Sequence, residues 1–105
     1  MLKYRDRTVK AKEVAMHYAG QFASEDVKAM VAGEADIKSK DEATALCEFF
    51  WEMVDRAAKD TENKVIIAGE ENIQFWVEKM FNIIHGHLDN IGYIEQWEEV
   101  CDRQE

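Results

Sequence analysis

Apolar residues recur at three-and-four spacing along most of the chain, the period that gathers side chains on one face of an α-helix. Ala11, Val14, Ala15, Tyr18, Ala19 and Phe22 follow it from about Thr8 or Lys10 and predict a first amphipathic helix. Ser24, an N-cap residue followed by the first-turn acids Glu25 and Asp26, opens a short second helix that carries Val27, Met30 and Val31 and stops at Gly33. Ser39-Lys40-Asp41-Glu42 has the S-x-x-E form of a capping box. The helix it opens has Leu46, Cys47, Phe50, Met53, Val54 and Ala57 as its apolar stripe and fades through Arg56, Lys59 and Asp60, with Phe49 and Trp51 off the stripe. After Glu70 and Glu71, the residues Ile73, Trp76, Val77, Met80, Phe81 and Ile84 give the cleanest periodicity in the chain, a central helix expected to end or bend near Gly86. Asp89 then caps a last helix with Ile91, Ile94, Trp97 and Cys101 on one face.

Two segments break this pattern. Leu2 to Lys10 reads as an extended arm or a hairpin turning at Asp6-Arg7, and Val65 to Ala68 as a packed connector or a short β-branched strand. A lone strand needs a partner, and the arm from Leu2 to Arg5 is the best candidate. With no proline, no internal repeat and no low-complexity stretch, the expected fold is all-α. It is a compact bundle of four or five helices, with a minor two-stranded element as an option, forming one helical domain over residues 1–105 and carrying residues 1–10 as an extended basic arm.

Composition supports a globular chain, at 47% hydrophobic and 33% charged residues. Charge adds an asymmetry. The formal net charge is −9, yet the first twelve residues hold Lys3, Arg5, Arg7, Lys10 and Lys12 against Asp6 alone, so the rest is correspondingly more acidic. Such a body repels phosphates, which argues against direct nucleic-acid binding and for a partner with a basic surface. The longest apolar run is Val65 to Ala68, far short of the ~20 residues of a membrane span. The charged first twelve residues have no signal-peptide core. Cys47 and Cys101 match no metal or redox spacing and are expected buried and reduced, so the expected setting is cytoplasmic and away from membranes.

Little in the sequence points to catalysis. His85-Gly86-His87-Leu88-Asp89 formally resembles the start of the HxHxDH motif of metallo-β-lactamase-fold hydrolases, but Asn90 stands where that motif has its last His, and 105 residues cannot hold that fold. On a helix, residues two apart point about 200° away from each other, so His85 and His87 share a metal only if the helix ends at Gly86 between them. The other reading is a helix C-terminus, where histidine meets the negative dipole end. Glu52-Met53-Val54-Asp55 and Glu99-Val100-Cys101-Asp102 have the ExxD spacing, superficially similar to the Mg²⁺-holding pairs of all-α nucleotide pyrophosphohydrolases; solvated helix faces account for both. His17 reads as a rim residue of the first helix. No nucleophile elbow, P-loop or dinucleotide motif is present, and no cofactor is expected.

The aromatics are the remaining signal. Phe49, Phe50 and Trp51 are consecutive, Phe75 and Trp76 adjacent, and Tyr93 and Trp97 one turn apart, so rings point all round their helices. Phe49, Trp51, Phe75 and Tyr93, framed by Glu48, Glu52, Asp55, Glu98 and Glu99, are the interface candidates, since aromatics ringed by charge are the composition of a protein interface. The expected function is non-enzymatic. It is a cytoplasmic protein-binding module, most concretely an inhibitor or regulator that occupies the basic surface of a nucleic-acid-handling protein, by analogy of charge and size with phage anti-defence proteins. The alternatives are a metal-dependent hydrolase using His85, His87 and Asp89, and a structural homodimer.

Overall fold

The computed structural model describes residues 1–104. After a single 3₁₀ turn at Asp6–Thr8, five helices follow: α1 (Val9–Phe22), α2 (Glu25–Ala32), α3 (Lys40–Glu62), α4 (Ile73–Ile91) and α5 (Ile94–Asp102). The local signals act where the sequence places them. The Ser24 hydroxyl accepts from the Val27 N–H at 3.2 Å and starts α2, which Gly33 ends in the left-handed region at φ 76°. That glycine is needed twice over, because a Cβ there would stand 2.5 Å from the Leu2 carbonyl oxygen. At α3, Ser39 Oγ accepts from Glu42 N–H at 3.1 Å, while the Glu42 carboxylate takes the Lys38 N–H at 2.7 Å. The reciprocal arm of the capping box is thus displaced by one residue.

Each helix turns its apolar stripe inward. Tyr18, Met30, Leu46, Phe50, Met53, Met80, Ile84, Leu88 and Val100 are all but removed from water. Burial of this kind, worth about 1.5–3 kcal/mol per large side chain, holds the bundle together. α3 is the axis of the packing: α1 runs antiparallel along it, with Tyr18 at Asp60 (2.6 Å), Gln21 at Arg56 (3.4 Å) and Phe22 stacked on Phe49 (centroids 5.3 Å). α4 and α5 cover the rest of its apolar face, where Phe50 meets Phe81 and Trp97. The radius of gyration is 12.9 Å, that of a compact chain of this length. No helix among the described residues is long and apolar enough to cross a membrane.

Two expectations are corrected. The arm and Val65 to Ala68 do not pair as strands. Residues 65–70 fold onto themselves, with Val65 N–H returning to Asp60 O at 2.8 Å and Ile67 and Glu70 exchanging main-chain hydrogen bonds across Ala68 and Gly69. Those two residues have φ of 53° and 75°, the twist of a tight two-residue turn, and a chain reversing that soon has no strand left to offer. The arm buries Leu2 instead, and its Tyr4 hydroxyl donates to Val31 O at 2.6 Å, so it lies on the end of α2. Nor does α4 stop or bend at Gly86. It runs to Ile91 and is closed by Gly92 at φ 84°, with Tyr93 N–H reaching back to Leu88 O at 2.8 Å. The reason is Leu88: Met80, Ile84 and Leu88 continue the buried face past Gly86, and the ~1 kcal/mol that one interior glycine costs is less than burial of a leucine gives. Asp89 therefore lies in the last turn of α4, and α5 begins at Ile94 after Tyr93.

Candidate protein interface

The outward side of α3 is acidic. Glu48, Glu52 and Asp55 are exposed there at spacings of four and three, so they form one ridge on a single helix. Beside them, Trp51 is half-buried at the edge of the α3 stripe, its ring 5.7 Å from that of Phe50 and at 76° to it. Its indole N–H is buried without an acceptor. α5 packs along this edge, and between the helices lies a cleft of about 210 Å³ lined by Glu48, Trp51, Glu52, Asp55, Val100, Arg103 and Gln104. Arg103 reaches Glu48 at 3.4 Å, an ion pair more than half exposed on both sides and hence weak.

On the other flank of the ridge a second hollow, of about 240 Å³, lies between α3 and the α1–α2 joint. Phe22, Ala23, Ser24, Val27, Ala45 and Phe49 line it, and Glu48 and Glu52 border it as they border the first. Arg56 closes one edge, with its guanidinium 4.4 Å from the Phe22 ring centre and its Nε 2.9 Å from Glu52.

Of the predicted interface residues, the structure brings together Glu48, Trp51, Glu52 and Asp55. Phe49 is 5% exposed; it lies off the α3 stripe but is covered by Phe22, so it is a floor and not a projecting anchor. Phe75 is 49% exposed on α4, edge-on to Trp76 at 4.9 Å with the Lys79 ammonium 5.2 Å from its ring, and Tyr93 is half-buried at the α4–α5 joint. Neither lines either hollow. Glu98 and Glu99 are exposed on α5 and extend the negative surface beyond the cleft. Sequence reasoning missed Phe22, Ala45, Arg56 and Arg103. Phe22 was assigned to the α1 core stripe, and its meeting with Arg56 depends on how α1 packs across α3, which no local pattern encodes.

The metal candidates stay apart. His85, His87 and Asp89 share one uninterrupted helix, so His85 and His87 point to different sides. His85 stacks on Phe81 (centroids 6.0 Å, 3° between planes) and meets Trp97 edge-on at 5.9 Å. His87 is half-buried beside Leu2, Lys3 and Ile83, where burial lowers its pKa. Among the described residues, no three His, Cys, Asp or Glu side chains are grouped to hold a metal ion. Of the ExxD pairs, Glu52 and Asp55 line the cleft, whereas Glu99 and Asp102 do not, so the two pairs do not face one another across it. His17 is exposed and 3.0 Å from Gln21.

Compared with protein-family models, curated proteins and solved structures, the chain matches none.

Proposed function

We propose that this chain is a small acidic protein-binding module that engages its partner through the α3–α5 face. Most concretely it is an inhibitor or regulator that occupies the basic surface of a nucleic-acid-handling protein in the cytoplasm. The observation that carries the reading is Trp51, set among Glu48, Glu52 and Asp55 at an open cleft. A guanidinium or ammonium entering there meets carboxylates and the face or edge of an indole, a combination worth more together than exposed carboxylates alone. The Glu48–Arg103 pair already holds such a contact weakly, and a partner's arginine can replace Arg103 with little loss. Glu98 and Glu99 add long-range attraction, which raises the rate of encounter with a basic surface.

The test is a native pull-down from lysate of the source cells, run in parallel with the wild-type chain and the triple variant E48K/E52K/D55K. The expected result is a stoichiometric partner with a basic surface that the charge-reversed chain fails to retain. Retention of the same partner by both chains sinks the reading. Once that partner is in hand, a competition assay decides the inhibitor version: nucleic acid is expected to be displaced, and a partner that holds it undiminished excludes mimicry.

A further inference from the structure

Resting on the protein-binding reading above, we infer that the partner presents a cationic amphipathic segment that straddles α3, with an apolar side chain in the Phe22–Phe49 hollow and basic residues against Glu48 and Glu52. The two carboxylates border both hollows, so the ridge is one helix wide and is approachable from either side. They stand four residues apart on α3, about 6 Å along its axis, within the span of one or two residues of a crossing segment. The floor of the second hollow is a stacked aromatic pair, and its walls are the small apolar side chains Ala45 and Val27, which give a flat basic surface nothing to hold but suit an aliphatic side chain.

Charge complementarity identifies the flanking residues, and the protein carries its own example of the contact. The Arg56 guanidinium lies over the Phe22 ring at 4.4 Å while its Nε binds Glu52 at 2.9 Å, the same ring-plus-carboxylate recognition that a partner's arginine would use at this edge. The exposed acids Glu25 and Asp26, next to Ser24 at the rim, keep the approach negative. A second copy is a poorer occupant. It carries the same net charge of −9, and its basic arm is held to its own body by buried Leu2 and the Tyr4–Val31 hydrogen bond.

The experiment measures binding of two fluorescently labelled peptides to the full chain by anisotropy, at roughly 50 mM salt so that screening does not mask charge. One peptide has arginines on either side of a leucine at helical spacing, and the other has serine in place of that leucine. The leucine peptide is expected to bind about tenfold tighter. Ala45→Trp, which fills the hollow from its wall, should bring the ratio to about one while leaving the serine peptide's affinity unchanged. E52K should weaken both peptides, and circular dichroism on each variant confirms that it is folded. Equal affinities for the two peptides overturn the inference and leave the acidic-face reading standing. Absence of binding by either peptide, or a tenfold preference that survives in folded Ala45→Trp, overturns it as well.

Discussion

Cys47 is buried between α3 and α5, and its thiol is pushed up to about 12 from the ordinary 9.0, by burial first and then by the nearby Cys101 and Glu48. The folded chain therefore keeps this thiol neutral where the unfolded chain would ionise it. The stabilisation is complete below about pH 9 and is lost as pH rises from about 9 to about 12. Urea midpoints should fall from pH 9 upward, and Cys47→Ala should flatten the fall between pH 9 and 10. Above that, the phenols of Tyr4 and Tyr18 add to the loss, both raised by burial and Tyr18 also by its hydrogen bond to Asp60. At this scale the site was half legible. Glu48, Trp51, Glu52 and Asp55 sit on one helix, where spacing alone makes them neighbours. Phe49 was misjudged because its exposure depends on the packing of α1, and Arg103 was invisible because its contact with Glu48 spans two helices.

At the scale of the helix, glycine position separates two outcomes. Gly86 lies inside α4 with nothing within 4 Å of where a Cβ would stand, so Gly86→Ala should stabilise the protein by about 0.5–1 kcal/mol. Gly92 closes the same helix at φ 84°, and Gly92→Ala should cost about 1–2 kcal/mol. Thermal or urea unfolding of the two variants checks both signs; a helix broken at Gly86 would reverse the first. The helices themselves were readable because each has an apolar stripe and most have a serine start or a glycine stop. The last joint was misplaced because His85-Gly86-His87 looks like punctuation, whereas Leu88, a single residue beyond it, continues the buried face. The strand pair failed for a related reason: β-branched Val65, Ile66 and Ile67 suggest extension, yet only Ile67 is buried and the turn at Ala68-Gly69 follows at once.

The whole molecule is electrically lopsided, with a basic arm laid on the α2 end and an acidic surface spread over α3 and α5. Association with a basic partner should accordingly slow several-fold as salt rises from roughly 50 to 500 mM, through the on-rate more than the off-rate, while Trp51→Ala should speed dissociation. Stopped-flow measurements of the two rates separate these effects. The joint between α3 and α4 belongs to the same scale. It closes on itself through the Ile67–Glu70 turn, is held to α1 by the Lys10 ammonium on Ala68 O at 2.9 Å, and exposes Gly69 to open space. A loop anchored at its base and empty at its tip tolerates extra length, because each doubling of a flexible loop costs only about 0.6 kcal/mol. Gly69 is thus the natural point at which to graft a reporter or epitope that leaves both chain ends and the α3 ridge untouched.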